Sequence, residues 1–356
     1  MADEREDKPT WRMVPGPIKL AVADVLGSRV TRAARAYGGY GPSATFLLTL
    51  ADGRRAFFKG TYPLPAGSGM RWTLEPEETV FRRLGERIRP WAPQYLGSVR
   101  AAGWHALLLE QINGTHVVPW TKGKASRAAR SYASFHAATL GRPLPDWLSS
   151  TEHRGFATYW RHLADDEEGR TRLAAIAGPR RQEAAKWVER HIDALADAER
   201  TLWQAAEPFA LLHFDTRSDN VRLEGDLLRI FDWPYACAGP AEFDAAAFAQ
   251  SVAAEGGPDP EAVIEWYEAV LPLRPDILTG AVAGIAGYFA DRAPQDGVPG
   301  LPRLRFVQRL QLRASLAWVA RLIGLSEPRW LASVPRLKGA GNSGADVARA
   351  RSRPAR

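Results

Sequence analysis

One stretch of the chain, residues 211–223 with the sequence LLHFDTRSDNVRL, restricts the fold more than any other. Its two ends are apolar, which predicts burial, while its centre holds one histidine, two aspartates, one arginine and one asparagine. Burying such groups without partners is costly in free energy. The fold must therefore give these groups partners or place them at a functional site.

Length and composition favour a globular protein with more than one lobe. The chain has 356 residues, of which 46% are hydrophobic, and this is enough for two lobes or domains. Cys237 is the only cysteine, which excludes an intrachain disulfide framework and a cysteine-rich zinc site. The N-terminal residues are charged, and the later apolar segments are too short to span a bilayer. We therefore expect a cytoplasmic protein with no membrane segment.

The net charge of +7 is concentrated near the C-terminal end of the sequence. Residues 329–356 contain seven lysines and arginines and one aspartate, so the remainder is close to neutral. Residues 336–356 combine Gly, Ser, Pro and Arg without apolar periodicity, which predicts a basic disordered tail. Because no aromatic residues alternate with these basic residues, nucleic-acid binding is not favoured.

The first third of the chain has the pattern of an antiparallel sheet. Two strand-like runs at 43–50 and 55–60 are separated by an Asp-Gly turn, which predicts a hairpin. Residues 77–88 have helical apolar periodicity, and residues 94–112 have the pattern of two further strands. Residues 30–112 therefore predict a five-stranded β-rich N-lobe with one helix, preceded by an N-terminal extension at 1–29.

After Asn113 and Gly114 the apolar periodicity becomes helical, in segments that continue to residue 323. Residues 113–335 therefore predict a mainly helical C-lobe, with the polar stretch on a short hairpin between two of its helices. The predicted fold class is α+β with two lobes. The junction of the lobes is the expected position of the main cleft.

The polar stretch matches the pattern H-x-D-x-x-x-x-N at His213, Asp215 and Asn220, and Asp232 follows at the end of the next apolar run. Two short strands would bring these side chains to one end of a hairpin. Phosphoryl transfer uses such a set, because Mg²⁺ prefers hard oxygen ligands and the attacking hydroxyl needs a nearby carboxylate. We assign Asn220 and Asp232 to the metal and Asp215 to the hydroxyl.

At these motifs the chain resembles the aminoglycoside phosphotransferase family of small-molecule kinases, which has a protein-kinase-like fold. The resemblance extends over about residues 30–324. It rests on HFDTRSDN, FDW, GPAEFDAAAF, RAFFKG, EPEETVFRRL, LLLEQI and SYASFHAATL, which occur in the family's order. It implies ATP and Mg²⁺ as cofactors and a small-molecule hydroxyl as the acceptor.

Carried over to this sequence, the resemblance implies that Lys59 contacts the α- and β-phosphates and pairs with Glu77, or else with Glu78. Arg217 stands where protein kinases have a lysine, and could neutralise charge on the γ-phosphate. The remaining positions implied in nucleotide binding are the connector residues Glu110 to Ile112 and the loop residues Gly38, Gly39, Gly41 and Ser43. Phe214 departs from the family, which usually has glycine there.

Several other interpretations are open for the same residues. His213 could hold the loop by hydrogen bonds, or could join Asp215 as a metal ligand of a hydrolase. The polar set could be only a hydrogen-bonded turn network. Asp244 begins a helical pattern and is interpreted as its N-cap. The acidic run at 165–168 could attract a cationic acceptor, or could be a solvated face.

The function that best fits the sequence is ATP-dependent O-phosphotransfer to a small molecule. A protein kinase is disfavoured, because eleven residues between Asp232 and Asp244 leave little room for a peptide-docking segment. The alternative from another class is a nucleotide-binding pseudokinase with an interaction role. The four residues Lys59, Asp215, Asn220 and Asp232 argue against it, because a non-catalytic protein has no chemical need for all of them.

Overall fold

We describe the protein from a computed structural model, which covers residues 8–36, 41–63, 73–151 and 156–337. The sequence predicts a disordered basic tail at 336–356. Residues 338–356 of this tail lie outside the described residues. Within the described ranges, no helix combines the length and hydropathy needed to cross a bilayer.

A five-stranded antiparallel sheet forms the N-lobe, as the sequence predicts. Its strands follow the order β1-β2-β3-β5-β4 in the sheet. Thr45 pairs with Lys59 across β2 and β3, and Lys59 pairs with Leu107 across β3 and β5, so Lys59 lies on the central strand. The strand bounds are β1 (Val30–Arg35), β2 (Ala44–Leu50), β3 (Arg55–Thr61), β4 (Tyr95–Ala101) and β5 (Trp104–Glu110).

Two helices, α1 (Gly16–Leu26) and α2 (Glu75–Ile88), pack on opposite sides of this sheet. Because side chains alternate along a strand, Phe58 of β3 faces α1, while Phe57 and Lys59 face α2 and the C-lobe. The strand pattern therefore explains how a lysine reaches the interior of a lobe whose other face packs in an apolar cluster with α1.

The helix α1 lies within residues 1–29, where the sequence pattern did not indicate a helix. Ile18, Val22 and Leu26 recur every four residues, and their side chains join the same apolar cluster as Phe46 and Phe58. This period places one stripe of the helix against the sheet. Residues 16–26 are thus part of the N-lobe core in the described structure.

Helices form most of the C-lobe, as expected. The long helix α9 is rich in alanine and glycine, and Gly284 allows close contact, because a Cβ there would lie 2.1 Å from the carbonyl oxygen of Phe156. The bounds are α3 (Lys122–Thr139), α4 (Tyr159–Asp165), α5 (Glu167–Ala175), α6 (Arg181–Arg200), α7 (Ala241–Ala254), α8 (Pro260–Glu268), α9 (Pro275–Arg292) and α10 (Leu304–Leu322).

Four short strands carry the polar stretch and lie between α6 and α7. β6 (Ala210–Leu212) pairs with β9 (Cys237–Gly239), and β7 (Val221–Glu224) pairs with β8 (Leu227–Ile230). The segment from Leu212 to Val221 is thus a loop held at each end by a strand pair. The two short strands and Gly-Asp turn predicted within residues 223–233 are present as the β7–β8 hairpin, residues 221–230, at the lobe junction.

The two lobes share a hydrophobic core. Leu84 and Ile88 of α2 and Leu107 of β5 belong to the same buried cluster as the C-lobe helices. Arg229 of β8 adds polar contacts across the junction, since it donates to Glu110 Oε2 at 3.0 Å and to the carbonyl of Ala92. These contacts fix the cleft side of the sheet against the polar loop.

Replacing Ile18 by alanine tests whether α1 belongs to the folded core. Ile18 is fully buried, so removal of its side chain is expected to lower the free energy of unfolding by about 2–5 kcal/mol. Leu20 on the same helix is 70% exposed, and Leu20→Ala should cost less than about 0.5 kcal/mol. Denaturant titration of both variants measures the difference. Equal effects would show that α1 is not packed as described.

Candidate active site

Lys59 occupies the centre of the cleft between two carboxylates. Its Nζ lies 2.6 Å from Glu77 Oε2 of α2 and 2.7 Å from Asp232 Oδ1, which follows β8. The lysine side chain is 9% exposed. Because the two carboxylates come from different lobes, this single ammonium group connects the N-lobe to the polar hairpin.

Glu77, rather than the alternative Glu78, pairs with the lysine. Glu78 accepts hydrogen bonds from Ser98, Arg100 and Tyr95. Burial opposes ionisation of Glu78, but its bonds from Ser98 and Arg100 lower the pKa to about 2. Neighbouring residues of one helix thus have separate partners.

The three charged groups at Lys59 perturb one another. Burial opposes the charged form of the lysine, but Asp232 and Glu77 raise its pKa above the ordinary value. Burial raises the pKa of Glu77 to about 6, against the effect of Lys59. For Asp232, burial is outweighed by the adjacent ammonium group, which lowers the pKa. Asp232 is therefore ionised well below neutral pH, whereas Glu77 ionises only as the pH rises through about 6.

The backbone of the polar loop is held by Asp244 of α7. Asp244 Oδ2 accepts from the backbone N–H of His213 at 2.7 Å, and Oδ1 accepts from that of Phe214 at 2.9 Å. Tyr132 donates its hydroxyl to the same carboxylate, and the Nε2 of His136 lies 3.3 Å away. Burial opposes ionisation, but the bonds from His136 and Tyr132 hold the pKa of Asp244 below its usual value.

The N-cap interpretation of Asp244 is wrong. The helix α7 begins three residues earlier, at Ala241, and its N-cap residue is Pro240. Asp244 therefore lies inside the first turn and bonds to a loop about thirty residues earlier in the chain. A sequence signal existed, since Asp244 interrupts a helix that is otherwise apolar on nearly every side.

His213 holds the loop by hydrogen bonds, one of the roles considered from the sequence. Its Nδ1 accepts from the backbone N–H of Asp215 at 3.3 Å, so Nε2 carries the proton and donates to the carbonyl of Phe231 at 3.1 Å. Burial lowers the pKa of His213, although Asp244 and Asp232 oppose this. The neutral ring thus links the loop to the residue preceding Asp232.

Phe214 and Asp232 both adopt left-handed backbone conformations, with φ of +71° and +70°. Glycine is the residue that adopts this region without strain, which explains physically why glycine suits the position of Phe214. Here the ring of Phe214 stacks on Phe243, with centroids 4.4 Å apart and planes 7° apart. The stacking contributes packing energy that a glycine could not.

Asp215 lies next to Arg217 and Asn220. Arg217 contacts both of its carboxylate oxygens, with Nε 2.9 Å from Oδ1 and one terminal nitrogen 3.2 Å from Oδ2. Asn220 donates its amide Nδ2 to the carbonyl of Asp215 at 2.9 Å and to Oδ2 at 3.2 Å. Burial raises the pKa of Asp215 to about 6, although Arg217 lowers it. The loop thus presents a carboxylate of unusually high basicity.

Asn220 and Asp232 are joined through the backbone, because Phe231 donates its N–H to the carbonyl of Asn220 at 2.9 Å. The Nδ2 of Asn220 is used by Asp215, so its amide oxygen is the atom suited to a cation. Asp232 is ionised and its side chain is 28% exposed. A carboxylate and an amide oxygen match the hard donors that Mg²⁺ prefers, so these residues fit that ion.

The other residues predicted to bind nucleotide lie next to or at the ends of N-lobe strands, where the structure describes them. Gly41 and Ser43 precede β2, whereas Gly38 and Gly39 lie outside the described residues. Glu110 ends β5, and its side chain accepts from the backbone N–H of Gln94 and from Arg229. Ile112 is half-buried in the connector that follows.

A second carboxylate that the sequence did not single out also holds the loop. Glu255, after α7, accepts from the hydroxyl of Ser218 and from the indole N–H of Trp120 at 2.8 Å. Ser218 lies between Asp215 and Asn220, while Trp120 precedes α3. The loop is therefore tied to α7 at both ends of that helix.

A β-rich lobe with a lysine–glutamate pair, over a helical lobe that carries this loop, defines a protein-kinase-like fold. Residues 39–277 match the model of the phosphotransferase enzyme family. This match covers more than half of the chain, and the protein belongs to that family.

Solved structures with this fold resemble the chain at low sequence identity. One is a putative fructosamine-3-kinase from Thermobifida fusca YX-ER1 (TM-score 0.50, 21% identity, 83% of this chain and 99% of that one). Another is an aminoglycoside phosphotransferase from Alicyclobacillus acidocaldarius (TM-score 0.55, 16% identity, 82% and 91%). A third is spectinomycin phosphotransferase in complex with ADP and spectinomycin (TM-score 0.54, 14% identity, 88% and 98%). No curated protein matches the chain.

Asp244→Asn tests whether the buried carboxylate holds the loop. The amide would point an N–H group at donors that now face an oxygen, so the free energy of unfolding should fall by about 3 kcal/mol. The control Asp197→Asn changes an exposed aspartate paired with Arg200 and should cost less than about 1 kcal/mol. Denaturant titration compares them. An Asp244 variant as stable as this control would remove the proposed anchor.

Proposed function

We propose that the protein is an ATP-dependent O-phosphotransferase that transfers the γ-phosphoryl group to a hydroxyl of a small molecule. The observation that supports this most is the convergence of Lys59, Asp215, Asn220 and Asp232 on one cleft. The family supports phosphotransfer in general. The nucleotide, the metal and the hydroxyl acceptor are our inference from these residues.

Each residue has a role that its surroundings support. Lys59 holds a positive charge for the α- and β-phosphates, and Glu77 fixes its position. Asn220 and Asp232 offer oxygens to Mg²⁺, which when bound would neutralise negative charge on the phosphate oxygens. Asp215 orients the acceptor hydroxyl and accepts its proton as the new O–P bond forms. Arg217, which now contacts Asp215, is the cation available for the γ-phosphate.

The connector and the loop before β2 complete the proposed nucleotide site. The backbone of Glu110 to Ile112 would meet the adenine, while Gly39, Gly41 and Ser43 would lie near the phosphates. The side chain of Glu110 bonds to Arg229 and its backbone N–H donates to the carbonyl of Gln94 at 2.8 Å, so the adenine would meet the backbone of the two residues that follow. Because these side-chain and N–H groups are already bonded, we expect the connector to recognise the adenine through its main chain.

A nucleotide-binding pseudokinase is the alternative. Asp215 argues against it, because a protein that only binds nucleotide does not need a carboxylate whose pKa is raised to about 6 by burial. Incubation with Mg²⁺-ATP and a panel of hydroxylated compounds, followed by mass spectrometry, tests the proposal. A gained phosphoryl group on an acceptor is expected. ATP binding without transfer to any member of a broad panel would favour the pseudokinase.

Asp215→Asn and Asp232→Asn should separate the two carboxylate roles. The first should abolish transfer and retain nucleotide affinity, because an amide of the same shape cannot accept the proton. The second should raise the Mg²⁺ concentration needed for nucleotide binding, because it removes a charged oxygen ligand. Nucleotide titrations at several Mg²⁺ levels, with a turnover assay, measure both. If the two variants lost nucleotide binding equally, Asp215 would have to be reassigned.

The pH dependence of turnover should follow ionisation of Asp215. Its pKa is about 6, and only the deprotonated form accepts a proton, so kcat/KM should fall as the pH is lowered through about 6. Arg217 lowers this pKa, so Arg217→Ala should move the acidic limb to higher pH. Glu77 also has a pKa of about 6 but contacts Lys59 instead. If the acidic limb of the pH profile did not move in Arg217→Ala, the titrating group would therefore be Glu77 rather than Asp215.

A further inference from the structure

A cluster of aromatic rings extends from the catalytic loop to the end of α9. It consists of Phe156, Tyr159, Phe214, Phe243 and Tyr288, and we refer to it as the aromatic wall. Phe156 is its centre, with ring centroids 5.1 Å from Phe214, 5.0 Å from Phe243 and 5.0 Å from Tyr288. Tyr159 lies 5.5 Å from Tyr288. The contacts are continuous from one end of the wall to the other.

The wall begins beside the proposed base, because Phe214 directly precedes Asp215. Phe214, Phe156, Tyr159 and Tyr288 are only partly buried, so the wall retains ring surface that a ligand could cover. Burial raises the pKa of Tyr288, and the charge of Asp215 adds to the rise, which agrees with their proximity. A hydroxyl held at Asp215 would thus belong to a molecule whose remainder meets aromatic rings.

A guanidinium group lies at the far end of the wall. Arg292 is four residues after Tyr288, on the same face of α9, and although burial opposes its charged form, the nearby side chain of Tyr159 raises its pKa. Its side chain is 43% exposed, and its Nε lies 3.1 Å from Asp291 Oδ2. A planar guanidinium has five N–H donors, so these contacts leave donors for a carboxylate of a ligand.

Arg305 of α10 adds a second positive charge behind Arg292. It donates to the carbonyls of Arg292 and Asp296 and to the side chain of Gln308. These acceptors are neutral oxygens, but the carboxylates of Asp291 and Asp296 are also close enough to act on its charge. The far end of the wall therefore carries two arginines, with Asp291 in contact with Arg292 and Asp296 close to Arg305.

Two of the carboxylates near this surface are paired with arginines. Asp215 contacts Arg217, and Asp291 contacts Arg292. Two residues of the acidic run at 165–168 also have partners, since Asp166 caps α5 and Glu168 lies 2.6 Å from Arg172. These residues do not form the excess of negative charge that a polycationic aminosugar would require.

We infer that the acceptor is a hydroxylated aromatic compound carrying an anionic group, rather than a polycationic aminosugar. This inference rests on the proposed function. The ring would lie against the aromatic wall, where offset or edge-to-face contacts are favourable. The anionic group would bind Arg292, and the hydroxyl would reach Asp215. Arginine suits this role, because its planar donors match a carboxylate.

Two probes that share a ring and a hydroxyl and differ in charge test the inference. They are 4-(hydroxymethyl)benzoate and 4-(hydroxymethyl)benzylamine, titrated calorimetrically into the full chain with Mg²⁺ and a non-hydrolysable ATP analogue. The benzoate should bind at least about tenfold more tightly than the amine, because it gains a charge-assisted bond to Arg292. An amine that binds as tightly as the benzoate, or no measurable binding of either probe, would overturn the inference.

Two variants of Arg292 and one control variant test whether this residue causes the preference for the benzoate over the amine. Arg292→Gln should reduce the ratio of the two dissociation constants to about one, whereas Arg292→Lys retains the charge and should keep most of it. Arg172→Gln is the matched control, because its side chain is 42% exposed and pairs with Asp166 and Glu168. Its ratio should equal that of the wild type. An unchanged ratio in Arg292→Gln would overturn the assignment of the anion site.

The same titrations distinguish the inference from the proposed function. If the wild-type protein did not bind the ATP analogue, the proposed function would fail and the inference with it. If the analogue bound and the amine were preferred over the benzoate, only the acceptor class would be wrong. Melting temperatures of the variants check that each one is folded.

Discussion

The contact of Lys59 with two carboxylates from different lobes is the interaction on which the arrangement of the cleft depends. Removing a lysine and a glutamate from water costs about as much free energy as their attraction returns, so the pair adds little to stability. One ammonium group beside Glu77 and Asp232 also leaves excess negative charge. A divalent cation would offset this excess negative charge. The contacts of Lys59 therefore matter more for the proposed phosphotransfer than for stability.

The strained backbone positions of the site lie on the polar loop and just after β8. Phe214 and Asp232 each have a positive φ, a conformation that costs a residue other than glycine about 1–3 kcal/mol. Both are held by contacts that outweigh this cost. The N–H of Phe214 donates to Asp244 and its ring stacks on Phe243, while Asp232 is bound by Lys59. The strain places the carboxylates of Asp215 and Asp232 where ordinary strand geometry would not.

Much of the fold follows from local sequence signals, whereas the support of the site does not. Alternating apolar residues and an Asp-Gly turn predict the sheet, and the spacing from His213 to Asn220 predicts the polar loop. The helix α1 was not indicated, because its apolar stripe at Ile18 and Val22 lies in a segment whose ends are charged. Asp244 was misinterpreted, because a helix-initiating aspartate and one that accepts from a distant loop have the same local pattern.

Asp215 and Asp232 show how one hairpin produces two different carboxylates. Burial opposes the charge of both, so the difference arises from their charged neighbours, which for Asp215 include the carboxylates of Asp219 and Asp232 as well as Arg217. Lys59 is itself buried and binds Asp232 strongly enough to lower its pKa, whereas the partly exposed Arg217 leaves the pKa of Asp215 raised to about 6. Separated pKa values are what acid–base chemistry near neutral pH requires. The lower value suits a permanent metal ligand and the higher one suits a proton acceptor, so the surroundings, more than residue type, divide the two roles.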